Sequence, residues 1–329
     1  MRVYKTIFSS LVVLFLALPV FAQQGGQVVQ AGTTHVFWRD PGDISSRNLI
    51  DGAGGKAHAP GTKFKFIKEV RGGSNPKFDV EDDQGVTWRV KLGVEAKPET
   101  AATRLLWAVG YFVDEDYYLP AIRVEGIKQL SRGQKYVSED GVVRSVRLEL
   151  GRKDGKKLGT WSWFENPFVG TKEFNGLRVM MALINDWDLH RYNNSIYEET
   201  AGERRYVVSD PGACFGKTGN NFTRSKGNLA DYREAKFVKK VTPDYVDLVI
   251  HSRPFILGIF DIPNYITRTR MEKVAKRIPR AEAKWIGDKL GQLSSEQIGD
   301  CFRAAGFSPA EVEGYTGVVM QRIEALKKL

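Results

Sequence analysis

Cysteine and histidine are scarce in this chain of 329 residues, which has two cysteines and four histidines. The cysteines, Cys214 and Cys301, are too few for a disulfide-rich scaffold, and they form either one disulfide or two buried free thiols. The histidines are scattered, and neither a C-x-x-C nor an H-E-x-x-H motif occurs. A zinc site built by the protein is therefore not expected.

Long apolar runs are missing after residue 22, but the first 22 residues contain one. Arg2 and Lys5 precede an almost wholly apolar stretch at 7–21, and small residues up to Ala22 come before a polar run. This pattern predicts a secretory signal peptide over residues 1–22. A membrane anchor is the alternative, but about fifteen residues fall short of the roughly 20 that span a bilayer. We expect an exported protein, periplasmic or secreted, that does not span the membrane after signal cleavage.

Blocks of one charge are also missing, although the chain carries 49 Lys+Arg against 39 Asp+Glu, a net charge of +10. Loss of the signal peptide removes Arg2 and Lys5 and lowers the net charge to +8. No run of five basic residues occurs, so the surplus indicates solvated faces with some affinity for anionic ligands or surfaces. We do not expect nucleic acid as a partner.

Strand patterns dominate the first half of the chain. Residues 23–60 are rich in glycine and small polar residues and predict a loose lead-in, with one strand at 34–38. The strand-like alternation of side chains over 63–93, interrupted by two turns, predicts a three-stranded meander. A helix is predicted from Pro98 to Gly110, because proline suits the first turn of a helix and glycine its end. Further strands are expected at 119–124 and 142–150.

Helical patterns dominate from about residue 171. A helix is predicted over 173–184, and strands near 195–197 and 205–208 predict a hairpin. Five more helices are predicted near 243–251, 265–277, 281–291, 295–305 and 309–328, two of them with capping boxes that begin at Ser294 and Ser308. The segregation predicts an α+β fold in two lobes, with a β-rich N-lobe at 61–160 and a helical C-lobe at 161–329.

The densest polar segment follows the helix at 173–184. It contains Asp188, an amide five residues later at Asn193, and a second acid, Asp210, a further 17 residues on. Phosphoryl transfer uses such groups, since one carboxylate orients the attacking hydroxyl while a carboxylate and an amide oxygen hold Mg²⁺. It also uses a strand lysine paired with a helix glutamate, and Lys91 and Glu99 are the candidates.

Several positions have alternatives. Glu95 is an alternative to Glu99 as the partner of Lys91. Asp186 is an alternative to Asp188 as the acid that orients the hydroxyl, and Asn194 is an alternative to Asn193 as the metal-binding amide. The turn Gly72-Gly73-Ser74 is a candidate to lie over phosphates, because glycine lets backbone N–H groups approach closely. The aromatic run at 161–168 is either core packing between lobes or a platform for sugar.

The order of these residues resembles the protein-kinase signature set. Residues 188–193 resemble the D-x-H-x-x-N loop of bacterial HipA-type serine/threonine kinases, and residues 98–105 resemble their NE-A-x-x-x-L helix. The resemblance covers roughly residues 63–216. It implies a bilobal protein-kinase-like fold with ATP in the cleft.

The resemblance also implies a role for each candidate. Lys91 would contact the ATP phosphates, Glu99 would pair with Lys91, Asp188 would be the catalytic base, and Asn193 and Asp210 would bind Mg²⁺. The implied function is an exported phosphotransferase that moves the γ-phosphoryl group of ATP to a hydroxyl of a protein, sugar or lipid. The alternative is a catalytically inactive module of the same fold that binds a nucleotide or a cell-envelope partner.

Overall fold

The computed structural model describes residues 32–329 except 74, 152–155, 200–201, 218–223, 251–261 and the side chain of residue 264. The signal peptide predicted at 1–22 lies outside the described residues, and so does Ser74. Residues Thr34–Leu329 form one compact unit.

Twelve strands and seven helices lie in the described part of this unit. The strands are β1 (Thr34–Val36), β2 (Phe64–Val70), β3 (Lys77–Asp82), β4 (Thr87–Leu92), β5 (Asp116–Glu125), β6 (Val142–Leu150), β7 (Lys156–Gly159), β8 (Asn194–Glu198), β9 (Glu203–Val208), β10 (Val238–Val241), β11 (Tyr245–Leu248) and β12 (Ile278–Pro279). The helices are α1 (Ala96–Ala108), α2 (Lys172–Leu183), α3 (Leu229–Glu234), α4 (Ile262–Glu272), α5 (Arg280–Leu290), α6 (Ser295–Ala304) and α7 (Pro309–Lys327). The predicted α+β class, with a β-rich N-terminal lobe and a helical C-terminal lobe, is confirmed.

The N-terminal lobe is a closed barrel with the strand order β2-β3-β4-β6-β5. Each neighbouring pair is antiparallel except β2 with β5, a parallel pair that closes the barrel. Side chains alternate across a strand, and Phe78 and Val80 of β3 join Trp88 and Val90 of β4 in the barrel core. The predicted meander is correct, and two later strands complete the barrel around it.

Helix α1 connects the barrel to the helical lobe. It begins at Ala96, so Pro98 lies in the first turn. The backbone N–H groups of the first turn form no intrahelical hydrogen bond, so the N–H that proline lacks is not needed there. Leu105 and Leu106 further along α1 are fully buried in the core of the helical lobe. The first turn, which contains Glu99, thereby lies beside the end of β4.

The helical lobe is built mainly on α2, α5, α6 and α7. Its core contains large buried side chains such as Phe302 of α6 and Tyr315 of α7, whose rings stack 4.9 Å apart. Both predicted capping boxes are present, at Ser294 and Ser308. These caps pair backbone N–H groups that the first turn of a helix leaves unsatisfied.

The strand predicted at 34–38 is present as β1, but the prediction of a loose lead-in is wrong for residues 39–60. Ile44 and Leu49 are fully buried in the core of the helical lobe, and β1 pairs in parallel with β9. The indole N–H of Trp38 also donates to the carbonyl of Val109 at 2.7 Å. Glycine-rich composition predicts flexibility, but a few well-spaced apolar side chains are enough to anchor such a segment.

The helix predicted near 243–251 is also wrong, because Tyr245–Leu248 forms β11 between β10 and β12. Val246 and Leu248 are buried while Tyr245 and Asp247 are half-buried, which is a period of two. Four residues are too few for sequence periodicity to separate strand from helix. The helix predicted at 265–277 is α4, which ends at Glu272 and gives way to a short 3₁₀ turn.

The aromatic run at 161–168 contributes to the core. Trp161 and Trp163 are buried, and both rings contact Phe174 of α2. The indole N–H of Trp161 donates to the carbonyl of Val207 at 3.0 Å. The core-packing interpretation is therefore confirmed for these two tryptophans.

Cys214 and Cys301 are buried free thiols, which decides between the two alternatives for the cysteines. Among the described residues, no helix combines the length and the apolar character that a membrane span needs.

Candidate functional site

Lys91 lies at the centre of a buried group of carboxylates. Val90 and Leu92 point into the barrel, so Lys91 points out of it, towards the start of α1. Its Nζ atom is 2.5 Å from Glu99 Oε2, 2.7 Å from Asp210 Oδ1 and 3.0 Å from Glu95 Oε2. Only 3% of the Lys91 side chain is exposed. The structure thus brings three predicted residues together, Lys91, Glu99 and Asp210, and adds Glu95 as a second glutamate partner.

The charges of this group stabilise one another. Burial alone would lower the pKa of Lys91, but the carboxylates of Glu99, Asp210 and Glu95 raise it well above its usual range. Burial alone would raise the pKa of Asp210 and of Glu95, but Lys91 holds both below their usual values. Lys91 is therefore a fixed positive charge and Asp210 a fixed negative one at neutral pH.

Glu99 is held from its other side by Arg147 of β6. Arg147 Nη2 lies 3.3 Å from Glu99 Oε1, and Arg147 Nε donates to Asp116 Oδ2 at 2.8 Å. Arg104 of α1 donates to the same Asp116 at 2.8 Å. Burial raises the pKa of Glu99, while Arg147 and Lys91, which both contact its carboxylate, oppose that shift and favour the charged form. This buried layer joins α1 to β5 and β6 and fixes the glutamate that faces Lys91.

The loop after α2 presents Asp188 and hides Asp186. Asp186 is 2% exposed, and its Oδ1 accepts the backbone N–H of Asp188 at 2.9 Å. Burial raises the pKa of Asp186 to about 8, so it is mostly protonated at neutral pH. The Asp188 side chain is 29% exposed. Of the two predicted acids, only Asp188 is therefore accessible to a substrate.

Asn193 links this loop to Asp210. Its Nδ2 donates to the carbonyl of Asp188 at 2.6 Å, and its own carbonyl accepts the N–H of Ser209 at 3.1 Å and of Asp210 at 3.0 Å. The alternative amide, Asn194, is 1% exposed in β8. Asn193 thus lies at the surface of the site, with its side-chain oxygen as a candidate metal ligand.

His190 supports the same loop. Its Nε2 lies 3.5 Å from Asp188 Oδ1, and its ring stacks on Tyr192 at 4.6 Å. Burial lowers the pKa of His190, and Arg268 adds to that effect while Asp188 opposes it. His190 is therefore neutral at pH 7, and its backbone N–H donates to the carbonyl of Asp188 at 2.8 Å.

Gly212 lets the carboxylates of α1 approach Asp210. A Cβ atom at this position would lie 3.0 Å from Glu99 Oε2 and 3.1 Å from Glu95 Cβ, closer than most real side-chain contacts. A side chain at the third position of Asp210-Pro211-Gly212 would therefore push these glutamates back by a few tenths of an ångström.

The glycine turn between β2 and β3 reaches the site only in part. Gly73 has a left-handed backbone (φ 78°), and its carbonyl accepts Arg132 Nη1 at 2.7 Å. Gly73 lines the cleft, whereas a Cβ atom at Gly72 would have no neighbour within 4 Å. The predicted role of this turn over phosphates stays a prediction.

Asp188, Asn193 and Asp210 line one cleft of about 830 Å³, a size typical of small-molecule sites. Lys91 and Glu99 are buried beside Asp210 and do not line this cleft. Its lining includes Asn75, Lys77, Glu95, Asp188, His190, Asn193, Asp210 and Lys226. Sequence reasoning missed three of these contributors. Asn75 and Lys226 both contact Glu95, and Lys77 acts electrostatically on Asp210. No local motif marks them, because only the folded chain brings them near the cleft.

Glu95, Glu99 and Asp210 also form the one cluster of acids with metal-like spacing that the described residues contain, with oxygens within 4.8 Å of one another. Lys91 Nζ contacts all three, so the ammonium group already supplies the cation there. The predicted metal ligands differ from this cluster. The side chain of Asp210 is 31% exposed and lines the cleft, and so does Asn193, whose backbone carbonyl accepts the N–H of Asp210 and whose side chain offers an amide oxygen.

No protein-family model and no curated protein matches this chain. Among solved structures, it is similar to the Helicobacter pylori proinflammatory kinase CtkA, with 12% identity and a TM-score of 0.49 over 82% of this chain and 97% of that one. It is also similar to the Golgi casein kinase (10% identity, TM-score 0.31, 82% of this chain and 75% of that one). A second structure of that kinase, with Mn/ADP bound, gives 9% identity and a TM-score of 0.32 over 82% and 74%. These values are low, and the interpretation of the site rests on its own geometry.

Proposed function

We propose that this protein is a kinase-like phosphotransferase that binds ATP and Mg²⁺ in the cleft and phosphorylates a hydroxyl acceptor. The observation that carries the proposal is the convergence of Lys91, Glu99 and Asp210 at a cleft that Asp210 shares with the half-buried but accessible Asp188. A lysine at the end of a strand is usually solvated, and burying one costs free energy unless carboxylates surround it. Two segments far apart in sequence, the start of α1 with Glu95 and Glu99 and the loop with Asp210, meet to provide those carboxylates. The finer resemblance to HipA-type kinases stays a prediction from the D-x-H-x-x-N loop.

The donor set fits a nucleotide with Mg²⁺. Mg²⁺ prefers one or two carboxylate or amide oxygens and keeps other positions for phosphate and water. Asp210 and Asn193 supply such oxygens, and Asp210 is the most exposed of the three carboxylates around Lys91. When bound, the metal would neutralise phosphate charge. Lys91 would add a second fixed positive charge on the same side of the cleft.

Asp188 would act on the acceptor. Its carboxylate is accessible, its backbone is fixed by Asp186, and the loop is tied to Asp210 through Asn193. A carboxylate in this position accepts the proton of the attacking hydroxyl and orients its oxygen. The neutral His190 leaves that role to Asp188.

A non-catalytic module that binds a nucleotide is the second candidate, and one contact favours it. Lys91 pairs directly with Asp210, so a phosphate group and Mg²⁺ would have to replace a buried ion pair of 2.7 Å. A protein in which this exchange stays incomplete would bind a nucleotide without turning it over.

The two candidates are separated by measuring ATP turnover and self-phosphorylation with radiolabelled ATP and Mg²⁺. We expect Asp188→Asn to lower the rate by a factor of at least 10² while the protein keeps nucleotide binding. Asp140→Asn is the matched control, because Asp140 is an exposed acid of the barrel lobe that pairs with Arg123. Equal rates for Asp188→Asn and the wild type would overturn the catalytic assignment. Nucleotide binding without turnover in the wild type would favour the second candidate.

We also propose that the protein works outside the cytoplasm, because residues 1–22 have the pattern of an export signal. N-terminal sequencing of the mature protein from its natural host is the test, with a start at residue 23 expected. A mature protein that keeps residues 1–22 and is recovered from the cytoplasm would contradict this part.

A further inference from the structure

Three cations surround the indole ring of Trp187, the residue directly before Asp188. Arg268 Cζ lies 4.7 Å from the ring centroid, Lys226 Nζ lies 5.1 Å from it and Arg224 Cζ 5.3 Å. All four side chains line the cleft that contains Asp188. Arg268 belongs to α4, and the other two cations precede α3, so the fold brings them together. We call Trp187, Arg224, Lys226 and Arg268 the Trp187 cluster.

The members of the Trp187 cluster are held in different ways. Arg268 is 8% exposed and donates from Nη1 to the carbonyl of Trp187 at 2.9 Å. Lys226 forms an ion pair with Glu95. Arg224 is exposed, and no carboxylate in the described part of the chain pairs with it. Like charges held around one ring repel each other, and an anion at this place would relieve that repulsion.

The stacking suits recognition of an oxyanion. A guanidinium group over an aromatic ring uses its face for the contact and keeps its in-plane N–H groups for hydrogen bonds. Those N–H groups match the oxygens of a phosphate group in pairs. Two arginines, beside a lysine that is already paired with Glu95, also suit the double negative charge of a phosphate monoester better than the single charge of a carboxylate.

We propose that the Trp187 cluster binds a phosphate monoester on the acceptor, so that the substrate is already phosphorylated near the hydroxyl that reacts. This inference rests on the proposed function. The position favours the acceptor over the nucleotide, because Asp188 orients the acceptor hydroxyl and Trp187 adjoins Asp188. Two other cations are candidates for the nucleotide phosphates. Lys91 lies beside Asp210, and Lys77 lies next to Gly73, where its Nζ would be 3.3 Å from a Cβ atom added to the glycine.

The test is an NMR titration with inorganic phosphate that follows the indole N–H signals of the ¹⁵N-labelled tryptophans. The Trp187 indole N–H donates to the carbonyl of Ser225, between Arg224 and Lys226, so its signal reports on this place. Trp187→Phe assigns the signal. The titration is run on the free protein and on protein saturated with Mg²⁺ and a non-hydrolysable ATP analogue. Acetate replaces phosphate in a parallel series.

We expect phosphate to shift the Trp187 signal both with and without the nucleotide analogue, and acetate to act more weakly. Arg224→Gln should weaken the apparent phosphate affinity about tenfold, the effect of one hydrogen bond to a charged group. Arg270→Gln is the matched control, because Arg270 lies on the same helix α4 and stacks on Phe164 at 4.9 Å, and it does not line the cleft. This control should leave the affinity unchanged.

Each negative result of this titration would overturn a different part of the proposal. No shift with phosphate, an equal shift with acetate, or an unchanged affinity in Arg224→Gln would overturn the phosphate site. A shift that the nucleotide analogue abolishes would assign the cluster to the nucleotide phosphates and overturn the acceptor assignment. Phosphate binding at Trp187 in a protein that binds no nucleotide would refute the proposed function and support the anion site alone.

Discussion

Replacing Lys91 with methionine tests how much its ion pairs contribute to the free energy of unfolding. The side chain keeps its approximate length, but three carboxylates lose the ammonium group that lies within 3.0 Å of each. Removing one partner of a buried ion pair typically costs about 3–5 kcal/mol of unfolding free energy. Glu95 keeps Lys226, Glu99 keeps Arg147 and Asp210 is partly hydrated, so each carboxylate retains some compensation. We therefore expect the lower end, about 3 kcal/mol.

The loss should depend on pH in a stated direction. Lys91 lowers the pKa of Glu95 and of Asp210 in the folded protein, so these groups stabilise the wild type above their unfolded pKa. That stabilisation disappears as the pH falls through the lowered folded values. The difference between wild type and Lys91→Met should thus be largest near neutral pH and shrink below about pH 4.

Urea unfolding at several pH values measures both effects. Lys65→Met is the matched control, because Lys65 is an exposed lysine of the barrel strand β2. A second change, Glu99→Gln in the Lys91→Met background, removes one of the carboxylates that lost the ammonium group and should restore part of the lost stability. If Lys91→Met unfolds at the same urea concentration as the wild type at pH 7, the reasoning about this buried group is refuted.

Two further predictions concern the loop and the turn around the site. Asp186 has a folded pKa of about 8, far above its unfolded value near 4, so the wild type should lose stability as the pH rises between these values. Asp186→Asn should remove this dependence of stability on pH, since the amide oxygen still accepts the N–H of Asp188. Urea midpoints at pH 5 and pH 8 measure the dependence, and an unchanged dependence would argue against a protonated Asp186. Gly212→Ala should cost about 1–3 kcal/mol, because its Cβ atom would lie 3.0 Å from Glu99 Oε2. Gly317→Ala in α7, where a Cβ atom has no neighbour within 4 Å, should instead gain about 0.5–1 kcal/mol from helix propensity, and the same stability for both variants would contradict the steric argument.

Parts of this fold follow from the sequence because they depend on local patterns. The alternation of Phe78 with Val80 and of Trp88 with Val90 predicts β3 and β4, and the capping residues Ser294 and Ser308 mark two helix starts. The strand β11 could not be predicted in this way, because four residues are too few to show a period. The strand at 34–38 was predicted, but its pairing with the distant β9 and the anchoring of residues 39–60 were not.

The site shows the same division. The order of Lys91, Glu99, Asp188, Asn193 and Asp210 along the chain was enough to predict that they meet, and the structure brings Lys91 to Glu99 and Asp210.

The supporting residues had no such pattern. Arg147 of β6 is identified only by its contact with Glu99 of α1, and Lys226 lies 131 positions from Glu95. Long side chains that pair over such distances leave no spacing to read in the sequence.

Calorimetric titration with a non-hydrolysable ATP analogue tests the central claim most directly. It compares the wild type with Asp210→Asn, each with and without Mg²⁺, after circular dichroism has shown that both are folded. We predict binding by the wild type that requires Mg²⁺, and loss of that requirement together with most of the affinity in Asp210→Asn. A wild type that binds no nucleotide, or an Asp210→Asn protein that binds it equally well with the same dependence on Mg²⁺, would contradict the account.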